Sequence, residues 1–241
     1  MMQDGPVQYD IEHKHVTVFP GRTPGCPVVY LNTFAGELPA ICEALQKRAG
    51  TDLPAGTDPG DVLDFTLAAI TGLDWNHDLA PWDCPPVFKN GEPCTGGAQD
   101  YLKVLTEAII PKVEESFSCP ACWRGIAGYS LAGLFALWSL YETDLFLRAA
   151  SMSGSLWFPG FKAYAFSHKP KGPLEKVYFS LGNKECKTRN PLLQTVQENT
   201  QAIEALYQSL GIQTVFRLNP GNHYKDGDKR TADGIRWMVE G

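Results

Sequence analysis

The chain has 241 residues, 44% hydrophobic and 20% charged, which is the composition of a folded globular protein and excludes a disordered one. Its 21 Lys+Arg against 27 Asp+Glu leave a formal net charge of −6, which argues against a polyanion-binding surface and so against a nucleic-acid partner. No apolar run approaches the roughly 18 residues of a membrane span, and the opening MMQDGPVQYDIEHKHV has no apolar core behind a basic start. We therefore expect a cytoplasmic protein with no signal peptide and no membrane association. Its length suits one α/β domain over 1–241, since such folds often use about 200–250 residues as a unit.

The elements alternate along the chain. His15–Phe19 alternates in polarity and stops at Pro20-Gly21, which predicts an edge strand and a turn. Pro27–Asn32 is a short continuous apolar run, as in a strand buried on both faces. Leu38–Arg48 has helical spacing, Asp52–Asp61 reads as a Gly/Pro/Asp loop, and Asp64–Ile70 reads as another buried strand. Thr71–Gly97 carries few regular signals, and structureless stretches of this length inside a compact domain are often functional.

Ala98–Glu115 is amphipathic and predicts a helix bent near Pro111. Trp123–Tyr129 predicts a strand. Leu131–Tyr141 is almost wholly apolar and predicts a buried helix. A strand over Leu147–Met152 is followed by an irregular insert, Ser153–Gly172. Then come a strand over Val177–Leu181, a helix over Leu192–Leu210 ended by Gly211, a strand over Gln213–Leu218 and a closing helix over Arg230–Val239. Apolar strands alternating with helices imply a mostly parallel central sheet covered by helices on both faces, with its site at the strand C-termini.

Seven cysteines, odd in number and scattered, argue against a disulfide framework. Cys119-Pro-Ala-Cys122 precedes a mid-chain strand, where a thioredoxin-like motif would not lie. It has no second pair or suitably spaced histidines to make a zinc site. No Gly-rich phosphate loop occurs, so neither a metal nor a cofactor is expected.

Chemistry concentrates at Gly128-Tyr129-Ser130-Leu131-Ala132-Gly133, between an apolar strand and a buried helix. A serine at a sharp strand-to-helix turn needs small residues two positions either side, and Gly128 and Ala132 meet that need. The turn would hold the Ser130 hydroxyl at the positive end of the helix, where an oxyanion is favoured. The ordinary alternative is a helix-capping serine.

His223 follows the late strand on a Pro-Gly-Asn loop and is the candidate general base. Glu185 is the carboxylate in the turn after Val177–Leu181 and is the candidate acid, with Asp226 and Asp228 as alternatives. The order Ser, acid, His is that of the α/β-hydrolases. Leu131 N–H is the first expected oxyanion donor. The second is expected from Asn32–Gly36, with Phe34 N–H the choice.

With these residues in place, the chain resembles the putative-esterase branch of the α/β-hydrolases, which includes enterochelin esterases, esterase D and feruloyl esterases. The resemblance rests on YLNTFAGE at 30–37, LDWNHDLAPW at 73–82, GYSLAG at 128–133, SLGNKECKTRN at 180–190 and NPGNHYKDGDKR at 219–230. It implies Ser130 as nucleophile and His223 as base. Relatives carry a GDKE-like turn where this chain has Asn183, which leaves Glu185 as the acid. The resemblance also implies that 73–82 flanks the cleft. Trp75, Trp82, Tyr129 and Trp157 are then candidate substrate-binding residues, although the two loop tryptophans could equally pin the loop to the core.

The implied fold is an α/β-hydrolase with a minimal lid, since the 153–172 insert is short. The implied function is a serine carboxylesterase acting on a small or medium ester through an acyl-enzyme. An acyltransferase using the same residues and a non-catalytic binding protein of the same fold are the alternatives.

Overall fold

The computed structural model describes residues 5–46, 64–87, 90–115 and 117–240. The expected loop at 52–61 and the last two residues of the helix expected over Leu38–Arg48 lie outside them.

The chain begins with a hairpin of β1 (Val7–Ile11) and β2 (Lys14–Phe19), then β3 (Val28–Asn32), α1 (Leu38–Gln46) and β4 (Thr66–Thr71). The segment 71–97 contains a short helix, α2 (Trp75–Asp78), and a two-stranded ribbon, β5 (Asp83–Cys84) with β6 (Cys94–Thr95). Next come α3 (Ala98–Val104), a π-helical turn (Leu105–Ile109) and α4 (Ile110–Glu114). β7 (Arg124–Tyr129), α5 (Leu131–Glu142), β8 (Arg148–Met152), α6 (Phe161–Ser167) and β9 (Lys176–Gly182) follow. The chain finishes with α7 (Pro191–Gln194), α8 (Val196–Ser209), β10 (Gln213–Asn219) and α9 (Gly227–Val239).

The main sheet has eight strands in the order β1-β2-β4-β3-β7-β8-β9-β10. β1 and β2 run antiparallel to their neighbours, and every other pairing is parallel. Side chains alternate across each parallel strand, which explains runs that are apolar throughout. Tyr30, Ile126, Ala149 and Phe179 enter one core with α3, α5 and α8. Leu31, Ala127, Ala150 and Tyr178 enter the other with Ile41 of α1 and Ile235 and Met238 of α9. Helices thus cover both faces, as the sequence implied.

The chain leaves β3 for β4 on one side and returns to β7 on the other. Strand order reverses at β3, so a crevice opens at the carboxyl ends of β3 and β7. The loop bearing Phe34 and the turn bearing Ser130 both lie there. Insert 153–172 buries Leu156, Phe158, Phe161 and Ala165 in the core and so forms no large cap over that crevice. No helix among the described residues is long and apolar enough to cross a membrane.

Four elements differ from the sequence expectation, and one is β2, expected at a sheet edge but paired on both sides, with β1 and with β4. β1 was not foreseen; it is turned back by Glu12 and His13, both with positive φ (46° and 64°), in a two-residue hairpin loop without the expected glycine. The helix expected over 98–115 runs through a π-helical turn just before Pro111, because proline lacks the N–H that an α-helix needs and its ring crowds the carbonyl of the preceding turn. The helix expected over 192–210 is two helices that meet at Thr195, the first capped by Asn190 Oδ1 accepting from the N–H of Leu192 at 3.0 Å.

Candidate active site

Ser130 sits between β7 and α5 with φ 58° and ψ −122°, a strained conformation for a residue with a side chain. Its neighbours over-determine the strain. The Ser130 N–H donates to the Met152 carbonyl at 3.1 Å, and the Ser130 carbonyl accepts from Ser155 N–H at 3.0 Å and Leu134 N–H at 3.1 Å. A Cβ at Gly128 would lie 2.4 Å from the carbonyl carbon of Ala132, so only glycine lets the helix start this close to the strand.

Three side chains from three loops meet at this turn. Ser130 Oγ lies 3.0 Å from His223 Nε2, and His223 Nδ1 lies 2.8 Å from Glu185 Oε2. Glu185 Oε1 accepts from Ser153 Oγ at 2.8 Å, from the Gly182 N–H and from Arg230 Nη1 at 3.3 Å. Burial pushes the Glu185 carboxyl up, but hydrogen bonds and charge from His223, with the Gly182 N–H and the Ser153 hydroxyl, outweigh it. The net pKa lies below the ordinary glutamate value.

The acid and base loops are also tied to each other. Asn183 donates its N–H to the Asn219 carbonyl at 2.7 Å and accepts from Gly221 N–H through Oδ1 at 3.0 Å. Asn183 therefore fastens the two loops and leaves the imidazole to Glu185. Of the alternative acids, Asp226 pairs with Lys229 at 3.1 Å, and Asp228 lines the cleft.

A cleft of about 650 Å³ opens over Ser130 and His223. Trp75, Trp157 and Phe34 form part of its wall, and the Phe34 and Trp75 rings stack at 3.9 Å between centroids. Tyr101 donates to Asn32 Oδ1 and so anchors the end of β3 just before Phe34. Leu131 opens α5, where the first backbone N–H groups of a helix lack intrahelical acceptors.

Trp82, expected in the substrate wall, is not part of it. Its indole N–H donates to the Pro159 carbonyl at 2.8 Å, and its ring packs on Phe158 and Tyr164, so this tryptophan pins the long segment to the insert. Tyr129 lines the cleft, but its hydroxyl is already used: it donates to the His223 carbonyl at 2.6 Å and accepts from Arg230 Nη1 at 3.2 Å.

Four residues at the site escaped the sequence reading: Glu37, Ser153, Ser155 and Arg230. Ser155 Oγ lies 3.4 Å from Ser130 Oγ. Glu37 lines the cleft, its carboxyl pushed up by burial and by the charge of Asp228 against the lowering effects of Thr33 and His223. Arg230, 3% exposed, reaches Glu185 from α9. Ser153 stands at the carboxyl end of a strand beside the elbow, a location that could have marked it; Glu37 and Arg230 carry no local signal.

The parallel sheet with its reversal at β3, the strained serine elbow and the late histidine define an α/β-hydrolase. Residues 67–223 match the model of the putative esterase family, and the chain belongs to that family. It is accordingly an esterase-type hydrolase. Among curated proteins it is similar to an uncharacterized protein, YbbA, of Bacillus subtilis, at 22% identity over 89% of this chain and 86% of that one. Among solved structures it resembles the siderophore hydrolase EstA of Aspergillus nidulans (TM-score 0.71, 18% identity, covering 98% of this chain and 93% of that one). It also resembles an IroE-like serine hydrolase of Shewanella oneidensis (TM-score 0.72, 17% identity, covering 96% and 78%).

Proposed function

We propose that this protein is a serine carboxylesterase in which Ser130, His223 and Glu185 act as nucleophile, base and acid. The observation that carries the reading is the continuous hydrogen-bonded line from Ser130 Oγ through the imidazole to the Glu185 carboxylate, with steps of 3.0 and 2.8 Å. Ser130 Oγ attacks the ester carbonyl while His223 Nε2 takes its proton. Glu185 fixes the tautomer with the proton on Nδ1 and stabilises the imidazolium that forms. Backbone N–H groups of Leu131 and Phe34 receive the oxyanion. His223 returns the proton to the leaving alcohol, then activates water to release the acid from Ser130.

The substrate is a small or medium ester that fits an aromatic-walled cleft, and Trp75, Trp157 and Phe34 contact its apolar part. The siderophore hydrolase among the structural neighbours makes siderophore-type esters the first class to try. The protein acts as one domain over 1–241, in the cytoplasm; the scattered and unpaired cysteines support that compartment.

A fluorophosphonate probe tests the reading directly. One covalent label per chain at Ser130, absent from Ser130→Ala, is expected, together with turnover of p-nitrophenyl esters that His223→Ala loses. No label, or label retained in Ser130→Ala, would refute it.

A further inference from the structure

Arg230 lies in the first turn of α9, yet nothing in helix formation calls for it there. A cation opposes the dipole at a helix N-terminus, and a guanidinium that is 3% exposed is costly to bury. Its Nε is buried without a partner. Residues retained against such costs mark functional sites.

Its contacts show what it does hold. Nη1 donates to Glu185 Oε1 at 3.3 Å, Ser153 Oγ at 3.1 Å and Tyr129 OH at 3.2 Å. Nη2 donates to the carbonyls of Pro220 and Asn222, each at 3.2 Å. One planar fork therefore touches the residue before Ser130, the carboxylate itself and the residue before His223. The approach is close: a Cβ at Gly182 would lie 3.1 Å from Nη1 and 2.5 Å from the Gly221 carbonyl oxygen.

We propose that Arg230 is a positioning residue of the esterase site, clamping the acid and base loops to the elbow strand and sharing the Glu185 carboxylate with His223. This inference rests on the serine-esterase reading above. Arg230 Nη1 holds Glu185 Oε1 while His223 Nδ1 meets Glu185 Oε2, so the guanidinium fixes the carboxylate in the orientation the imidazole needs. The other groups facing His223 are Tyr129 of β7, Glu37 beside α1, Tyr224, and Asp228 of α9.

The test compares wild type, Arg230→Gln and Arg230→Lys in kcat and KM for p-nitrophenyl acetate at about pH 8, per site titrated with fluorophosphonate. Arg230→Gln loses both the charge and the fork. Its kcat should fall by about 100-fold, with KM within about twofold of wild type. Arg230→Lys keeps the charge but loses the fork. Its kcat should fall by only about tenfold, with KM within about twofold of wild type. Normalising per site removes the effect of misfolded protein, which a merely structural role would produce.

A labelled wild type beside an Arg230→Gln enzyme with unchanged kcat per site overturns this inference alone. If Arg230→Gln does not fold, Arg230→Lys decides: unchanged kcat per site overturns the clamp, and kcat lowered at unchanged KM supports it. A wild type that takes no label overturns the esterase reading and this inference with it.

Discussion

Glu185 is buried, with its side chain 5% exposed, and is held ionised by donors on both oxygens. Replacing it with glutamine keeps the shape and removes the charge, so the imidazole loses its tautomer control. Within the proposed mechanism, Glu185→Gln should lower kcat by about 10³–10⁴-fold in steady-state ester hydrolysis while the circular-dichroism spectrum stays native. The same carboxylate links stability to pH. Its folded pKa is depressed, so its contribution is fully present above the unfolded value near about 4.3 and is lost as pH falls through the folded value. The melting-temperature gap between wild type and Glu185→Gln should therefore be constant above about pH 6 and narrow in acid. A gap that widened on acidification would reverse the sign argued here.

Ser130, Glu185 and His223 were legible in the sequence because each stands in a turn directly after a recognisable strand. The sequence left Trp82 open between cleft wall and loop pin, because an aromatic residue type says nothing of the direction its ring takes. Arg230 was illegible because its partners lie up to 101 positions away along the chain.

At the scale of elements, the parallel strands were readable because burial on both faces leaves continuous apolar runs. β1 was not: Val7, Tyr9 and Ile11 do alternate with Gln8 and Asp10, but the turn residues Glu12 and His13 give no hairpin signal that would pair the run with β2. Left-handed backbone at such residues costs roughly 1–2 kcal/mol each. The double change Glu12→Asn with His13→Gly supplies the residues a two-residue loop of this type prefers. It should stabilise the protein by about 1 kcal/mol, which raises Tm by roughly 2–4 °C for a chain of this size. Esterase activity should not change, because the hairpin lies at the far edge of the sheet from β7. Calorimetry and one ester assay check both halves. The π-helical turn at Leu105–Ile109 and the break at Thr195 were hidden for a different reason: apolar periodicity continues through both interruptions, and only the backbone records them.

At the scale of the whole molecule, the net charge of −6 has a local counterpart. Among the described residues, the cleft is lined by Glu37, Asp228 and Glu185 and by no lysine or arginine. A cleft with one sign of charge and apolar walls focuses its field on an approaching substrate. An ester bearing a carboxylate on its leaving or acyl group then meets repulsion that a neutral ester of the same shape does not. At low salt, kcat/KM for the carboxylate-bearing member of such a pair should be at least about tenfold lower. Raising ionic strength from roughly 0.01 M to 0.5 M shortens the screening length from about 30 Å to under 8 Å, so the gap should shrink several-fold. Glu37→Gln should shrink it at low salt as well, because the change removes one of the charges that face the substrate without touching the Ser130–His223 contact. Equal kcat/KM for the two esters at low salt, or a gap indifferent to salt, would mean that the apolar walls alone set selectivity and that the acidic rim faces away from the bound substrate.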